Sequence, residues 1–152
     1  MSNDSASVSS SGSTPMLHGH CYCGDVTFSI PADVQPHIAT YCHCESCRRA
    51  HSAPIYHVAY VKPDEFTINS GSELIKQFIK PGSKCQRSFC TACGSRIMNH
   101  LEHRPDWVGF FPALLDDDVQ HHLPEPLRAV KHHLAEEAVI DLEQVNDGLP
   151  RS

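Results

Sequence analysis

The chain has 152 residues, a length that fits one domain, and a formal net charge of −6 at pH 7 with histidine counted as neutral. This charge argues against a nucleic-acid partner bound through a broad basic surface. No apolar run approaches the ~18 residues of a membrane-spanning helix, and the N-terminus lacks the basic start and apolar segment of a secretory signal. We therefore expect a cytoplasmic protein with neither a membrane nor a nucleic-acid partner.

The predicted elements, in chain order, indicate a mainly β protein. Residues 1–15 are rich in serine and lack an apolar pattern, so we expect a disordered tail, followed by a single domain over residues 16–152. Apolar and alternating segments predict strands at residues 25–30, 55–61, 65–69, 73–79, 87–90, 95–101 and 107–111. The turn at residues 70–72 predicts a hairpin between the third and fourth of these. Residues 127–138 could form a helix, and residues 139–142 look more like a strand.

Eight cysteines are the most informative residues. Seven of them fall into three tight groups: Cys21 and Cys23; Cys42, Cys44 and Cys47; Cys90 and Cys93. Cys85 stands alone and is most simply a buried small side chain. Disulfides rarely persist in a reducing compartment, and no βαβ pattern surrounds the cysteine pairs as it would in a thioredoxin-like redox site. Zinc binding is therefore the favoured interpretation.

Local geometry predicts how the sulfurs converge. Successive side chains on a strand alternate between its two faces, so the cysteines of each Cys-x-Cys pair should point the same way. The intervening His43 should then point to the opposite side. Residues 90–94 have the form of a zinc knuckle, in which Gly94 permits the positive φ that often follows such a turn.

Seven grouped cysteines divide most naturally into a set of four and a set of three. Four thiolates make a closed, structural zinc site, whereas three protein ligands leave one coordination position for water or substrate. A histidine could instead complete the smaller set. The candidates are His20, His43, His51, His57 and His100.

Three motifs give the chain a resemblance to a known family. The sequence reads LHGHCYCGDV over residues 17–26, CHCESCRR over residues 42–49 and RSFCTACGS over residues 87–95. With two shorter signatures, at residues 115–117 and 147–150, these motifs resemble the glutathione-dependent formaldehyde-activating enzyme and centromere protein V family. The resemblance covers roughly residues 17–151.

The resemblance implies a fold, a metal assignment and a reaction. The fold would be Mss4-like, with irregular folded-over antiparallel sheets stapled by two zinc ions. A structural zinc would take Cys21, Cys23, Cys90 and Cys93, and a catalytic zinc would take Cys42, Cys44 and Cys47. The family reaction adds glutathione to formaldehyde to give S-hydroxymethylglutathione, and in reverse it is a carbon–sulfur lyase reaction. The alternative is a non-catalytic zinc module that binds a protein partner.

The chain departs from the family pattern at Ser52, where the family usually has glycine. If that glycine lets a peptide-like substrate approach the backbone, the Cβ of Ser52 would alter the substrate pocket.

An open zinc site would favour an incoming thiol in its thiolate form and hold it beside a carbonyl. Three thiolates leave such a site with a charge of −1, which Arg48 and Arg49 are placed to offset, and one of the two arginines could also bind a substrate carboxylate. The candidate proton carriers are His43, His51, His57, His100 and Tyr56. The histidine pairs at residues 121–122 and 132–133 are expected in solvent-facing segments.

Overall fold

The computed structural model describes residues 12–152, which form ten strands and two short helices, α1 (Glu45–His51) and α2 (Asp117–His121). The strands are β1 (Met16–His20), β2 (Thr27–Pro31), β3 (Ile38–Cys42), β4 (Tyr56–Val61), β5 (Thr67–Ser70), β6 (Ile75–Ile79), β7 (Cys85–Cys90), β8 (Arg96–Leu101), β9 (Arg104–Phe110) and β10 (His132–His133). The predicted mainly β fold is confirmed. Of the predicted tail over residues 1–15, residues 1–11 lie outside the described residues. None of the helices in residues 12–152 has the length and hydropathy of a membrane-spanning segment.

The strands form two sheets that share an apolar core. β1, β2 and β5 make a three-stranded antiparallel sheet. The larger sheet has the order β10-β3-β4-β9-β8-β7-β6 and is antiparallel except for the parallel pair of β10 and β3. The rings of Phe28, Phe66 and Phe110 meet in the core with centroid separations of 5.0, 6.0 and 6.3 Å. These aromatic contacts fix the smaller sheet over one face of the larger sheet.

One row of side chains crosses the larger sheet and contributes polar groups to the candidate site. Arg87 of β7 is paired with Asn99 of β8, and the row continues through β9 to Tyr60 of β4. Directly paired residues point to the same face of a sheet, so these three side chains share one face. Tyr56, four residues before Tyr60 on β4, is paired with Cys42 on the same face. The strand register therefore brings one cysteine group and a buried arginine to a common side of the sheet.

The predicted hairpin around Gly71 is wrong. β5 pairs with β2 in the smaller sheet, whereas β6 pairs with β7 in the larger sheet. Gly71 has a φ of 72° and precedes a turn of 3-10 helix at Ser72–Leu74. A side chain at Gly71 would collide with the backbone carbonyl of Asp25. This glycine turn, which a side chain would obstruct, carries the chain from one sheet to the other.

The C-terminal segment follows the edge of the larger sheet, and in place of the helix considered for residues 127–138 it has β10 and a single turn of 3-10 helix at Ala135–Glu137. Backbone bonds run from Tyr41 N–H to the Lys131 carbonyl and from His43 N–H to the His133 carbonyl, each at 3.0 Å. Pairing with β3 thus overrides the helix propensity of this segment.

Two further expectations for the C-terminal segment are wrong. Residues 139–142 form bends and turns rather than a strand, because no neighbouring strand pairs with them in the described structure. His132 is fully buried rather than solvent-facing, because β10 packs against β3.

Candidate metal sites

The first cysteine cluster joins the two sheets. The thiols of Cys21, Cys23, Cys90 and Cys93 lie within 4.8 Å of one another, and we name them the four-thiol cluster. The Sγ atom of Cys23 lies 3.4 Å from that of Cys21 and 3.9 Å from that of Cys90. Cys21 and Cys90 are fully buried, whereas Cys23 is exposed. Because Cys21 follows β1 of the smaller sheet and Cys90 ends β7 of the larger sheet, the cluster connects distant parts of the chain.

Two glycine turns shape the four-thiol cluster. The Gly24 N–H donates to the Cys21 carbonyl at 2.9 Å, and the Gly94 N–H donates to the Cys90 carbonyl at 2.8 Å. Their φ values are 85° and 79°, so the predicted positive φ at Gly94 is confirmed. The prediction that the first Cys-x-Cys pair lies on a strand is wrong, because β1 ends one residue before that pair. A turn, rather than strand alternation, brings these two sulfurs together.

The second cysteine cluster lies where β3 passes into α1. The thiols of Cys42, Cys44 and Cys47 lie within 4.8 Å of one another, and we name them the three-thiol cluster. Cys42 ends β3, Cys44 is the N-cap of α1, and Cys47 lies in the first turn of the helix. The Cys47 N–H donates to Sγ of Cys44 at 3.2 Å. Among residues 12–152, no fourth thiol, imidazole or carboxylate joins this cluster.

Within the three-thiol cluster, the surroundings favour the thiolate form of Cys47. The hydroxyl of Tyr56 donates to its Sγ atom at 3.3 Å, and Nη2 of Arg87 donates at 3.7 Å. Hydrogen bonds from the Cys42 and Cys44 thiols, together with those from Tyr56 and Arg87, lower the pKa of Cys47 to about 2 against the opposing effect of burial. The bonds that Cys42 makes to Cys44 and Cys47 raise its own pKa. An anionic sulfur is the form that binds metal ions.

Both clusters could hold a metal ion. Thiolates are preferred ligands of zinc, and a tetrahedron with metal–sulfur bonds of ~2.3 Å has sulfur–sulfur edges of ~3.8 Å. The separations of 3.4 and 3.9 Å in the four-thiol cluster lie close to that value. The donor sets therefore fit one closed site and one site with three protein ligands.

The two arginines expected to offset the cluster charge have other partners. Nε of Arg48 donates to the carbonyl of His43 at 2.9 Å, and Nε of Arg49 donates to Glu45 at 2.8 Å. Within the described part of the chain, neither guanidinium donates to a cluster thiol, whereas that of Arg87 does. Arg87 was not predicted because it lies far from the three-thiol group in sequence, and the register of β7 alone brings it there.

His43 has a buried partner that the sequence did not reveal. Its ring is fully buried, and its Nε2 atom lies 2.8 Å from Nδ1 of His132, whose Nε2 atom lies 2.7 Å from Oδ2 of Asp147. If a neutral His132 donates to Asp147, it accepts through Nδ1, and the hydrogen between the rings belongs to Nε2 of His43. Asp147 also accepts a bond from Arg151 at 3.3 Å. Asp147 lies in the signature at residues 147–150, the one sequence signal that could have pointed to it.

A cavity of about 550 Å³ lies at the end of α1. His51 and Tyr56 line it and stack with ring centroids 4.2 Å apart, while Phe111 meets His51 edge-on at 4.8 Å. Burial lowers the pKa of His51 to about 4, so its imidazole is neutral near pH 7. Ser52 also lines the cavity, and its φ of 51° and ψ of 39° are left-handed. The backbone conformation itself thus accounts for a preference for glycine at this position.

The other candidate histidines contribute nothing to the three-thiol cluster. His57 and His100 each have one buried ring nitrogen without a hydrogen-bond partner, and burial lowers the pKa of His57 to about 4. Nδ1 of His20 lies 2.8 Å from its neighbour's carbonyl. Cys85, expected to be a buried small side chain, is only partly buried.

The sequence and the fold can now be compared with known proteins. The family model described as "Glutathione-dependent formaldehyde-activating enzyme" matches residues 16–132. A Halomonas elongata protein named "Putative glutathione-dependent formaldehyde-activating enzyme" is 28% identical over 120 residues, which cover 73% of this chain and 70% of that protein. A crystal structure of a Rhodobacter sphaeroides protein superposes with a TM-score of 0.58 at 17% identity, covering 90% of this chain and 100% of the other, and so supports the fold. The chain belongs to the glutathione-dependent formaldehyde-activating enzyme family.

Proposed function

We propose that the protein is a zinc-dependent carbon–sulfur lyase and synthase that adds a thiol such as glutathione to formaldehyde and catalyses the reverse reaction. In the forward direction, the sulfur–carbon bond forms as the carbonyl π bond breaks, and the thiol proton ends on the oxygen. The product with glutathione is S-hydroxymethylglutathione. The three-thiol cluster would hold the catalytic zinc, and the four-thiol cluster would hold the structural zinc.

The observation that carries this proposal is the ligand count of the three-thiol cluster. Three protein sulfurs would supply three of the four ligands that zinc takes, and among the described residues no fourth protein ligand joins them. A bound zinc would supply a soft Lewis acid that favours the deprotonated form of an added thiol. The family to which the chain belongs is named for a glutathione-dependent reaction of formaldehyde, which agrees with a thiol as the added group.

The residues around Cys47 would balance the negative charge of the three cysteine thiolates and of an added thiolate. The Tyr56 hydroxyl and the Arg87 guanidinium both donate to Cys47, so they lower the electron density on this sulfur and disperse the excess negative charge. Arg87 thereby takes the charge-balancing role that the sequence suggested for Arg48 and Arg49. Arg48 instead fixes the carbonyl of His43, on the loop between two cluster cysteines.

His51 is the residue best placed to move the proton. It lines the cavity at the end of α1, stacks on Tyr56, and has a buried Nε2 atom with no partner in the described structure. Burial keeps the ring neutral and so leaves one nitrogen lone pair free to take the thiol proton, and the low basicity of the ring favours return of that proton to the carbonyl oxygen. His43 is fully buried and paired with His132, so we assign it a positioning role in place of the proton-carrier role considered from the sequence.

The proposal is tested by two-dimensional NMR exchange spectroscopy of glutathione and formaldehyde at equilibrium, with catalytic amounts of zinc-loaded protein. We expect exchange between free and adduct signals to accelerate at least tenfold over buffer, and the Cys47→Ser variant to lose that acceleration while retaining one zinc. A protein that carries both zinc ions and accelerates nothing would overturn the proposal and support the non-catalytic zinc module.

His51 is tested separately with two variants. His51→Gln should reduce the exchange rate about a hundredfold if the ring moves the proton. His51→Phe keeps the stacking on Tyr56 and should lose as much, whereas a purely structural role predicts that His51→Phe retains the activity. Zinc content, measured in parallel, should stay at two ions in both variants.

A further inference from the structure

A second cavity, of about 370 Å³, lies on the other side of α1's last turn and shares Ala50 and Arg96 with the first cavity. Its lining contains four cationic side chains, and no described acidic residue lines it. These are Arg49, Lys80, Arg87 and Arg96. We name this cavity the cationic cleft. In a chain of net charge −6, it gathers four of the twelve lysines and arginines.

Arg87 connects the cationic cleft with the three-thiol cluster. Its side chain is only 6% exposed, and its Nη2 atom donates to Oγ of Ser46 at 3.2 Å and to Sγ of Cys47 at 3.7 Å. Its Nη1 atom is buried and has no hydrogen-bond partner in the described structure. A buried cationic donor without an acceptor is energetically costly, so an anionic oxygen bound there would satisfy it.

The other cations of the cleft are only partly neutralised. Arg96 is held by the carbonyl of Ala50 at 2.9 Å, and burial together with repulsion from Arg87 lowers its pKa. Arg49 pairs with Glu45 at 2.8 Å, but its side chain is 77% exposed, which makes this a weak surface pair. Lys80 is exposed at the rim. An anion in the cleft would relieve the repulsion between the two guanidinium groups.

We infer that the cationic cleft binds a carboxylate of the thiol substrate, and this inference rests on the proposed function. Arginine side chains recognise carboxylates through paired N–H donors, and the cleft offers the buried guanidinium of Arg87 and the partly buried guanidinium of Arg96 for this purpose. Because Arg87 both contacts Cys47 and lines the cleft, a carboxylate bound there would lie beside the three-thiol cluster. The cleft therefore selects an acidic peptide thiol over a neutral thiol.

The binding test uses S-methylglutathione, which keeps both carboxylates and has no thiol to bind a metal ion. Titration of the zinc-loaded protein, followed by NMR or calorimetry, should give an affinity that falls as salt rises. Lys80→Gln should weaken this affinity about threefold and Arg49→Gln/Lys80→Gln about tenfold. Lys76→Gln, an exposed lysine of β6 outside the cleft, is the matched control and should leave the affinity unchanged. The diethyl ester of S-methylglutathione should not bind measurably.

The activity test separates this inference from the proposed function. With glutathione and formaldehyde, Arg49→Gln/Lys80→Gln should raise KM about tenfold and leave kcat unchanged, and with 2-mercaptoethanol it should change neither. If the double variant and the unaltered protein bind S-methylglutathione equally well and catalysis is retained, carboxylate binding by the cleft would be refuted and the proposed function would stand. If the affinity for S-methylglutathione falls in the cleft variants but the unaltered protein catalyses no reaction, the proposed function would be refuted and carboxylate binding by the cleft would be supported. The double variant could instead raise KM only when a neutral thiol, 2-mercaptoethanol, reacts with an acidic carbonyl compound, glyoxylate. The cleft would then bind the carboxylate of the carbonyl substrate, and its assignment to the thiol would be wrong.

Discussion

The four-thiol and three-thiol clusters are built from the same side chain but differ in how the chain reaches them. The four-thiol cluster draws on two turns separated by 67 residues and ties the smaller sheet to the larger. The three-thiol cluster lies within six consecutive residues at the start of α1. Metal binding at the first cluster would close a long loop and couple to folding, whereas loss of an ion from the second cluster would not separate the sheets.

The surroundings of the two clusters differ as well. Near the four-thiol cluster, Asp25 and Ser95 accept hydrogen bonds from Cys23 and Cys93. The Val26 N–H donates to Sγ of Cys21 at 3.3 Å, and Cys21 lines a cavity of about 450 Å³. The three-thiol cluster instead receives side-chain donors from Tyr56 and from the cationic Arg87, and it has three protein sulfurs rather than four. A cationic donor and a smaller set of protein ligands suit a site that accepts an additional anionic group, so the comparison predicts a structural role for the four-thiol cluster and a chemical role for the three-thiol cluster.

The largest expected effect separates the clusters by mutation. Cys90→Ser should unfold the domain, because removing one ligand of a structural zinc site forfeits several kcal/mol, a large part of a total stability of about 5–15 kcal/mol. Cys47→Ser, the matched change in the three-thiol cluster, should leave a folded protein. Far-ultraviolet circular dichroism and the dispersion of amide NMR signals provide the measurement. Equal loss of structure in both variants would show that the proposed division between the clusters is wrong.

Metal removal should distinguish the clusters next. The purified protein should contain two zinc ions per chain, and a chelator with a colorimetric readout should remove them in two phases, one ion in each. The fast phase should belong to the three-thiol cluster, because only three protein ligands hold that ion. The Cys47→Ser variant should show only the slow phase. Release of both ions in a single phase from the unaltered protein would contradict the proposed difference between a site closed by four protein ligands and a site with three.

A smaller effect is expected from the contact between the C-terminal segment and the three-thiol loop. Asp147→Asn weakens the bond to His132 and, through it, the support of His43. We expect the fast phase of zinc release to become a few-fold faster and the slow phase to stay unchanged, because groups behind a metal site tune its affinity. Asp141→Asn, a change outside this network, is the control. A variant that accelerates both phases would indicate general destabilisation rather than a positioning role.

The smallest expected effect concerns Ser52, next to the cavity at the end of α1. A non-glycine residue in the left-handed region costs about 1 kcal/mol, so Ser52→Gly should raise the unfolding free energy by about 0.5–1 kcal/mol and the Tm by about 2–4 °C. Ser52→Ala keeps the strained backbone and removes the hydroxyl, so it should give no increase. Thermal denaturation followed by circular dichroism measures both variants. A gain in Ser52→Ala equal to that in Ser52→Gly would exclude backbone strain as the cause.

Predictions from the sequence are correct where the physical cause is local. The grouping of seven cysteines, the turn at residues 90–94 and several strands depend on spacing and period within a few residues, and the structure agrees with them. The hairpin at Gly71 and the helix at residues 127–138 failed because partners distant in sequence decided the pairing. Local preference is a weak guide wherever a sheet edge or a second sheet competes for the same backbone groups.

By itself, the sequence determined that the thiols of each closely spaced cysteine pair lie near each other, because the two residues are only a few positions apart and a short turn brings them together. It also determined the mainly β character, because period and glycine placement act locally. Only the tertiary structure decided which distant side chains surround each cluster. Arg87, His132 and Asp147 reach the three-thiol region through strand register and through the packing of the C-terminal segment. Those contacts depend on the whole sheet, and no spacing along the chain encodes them.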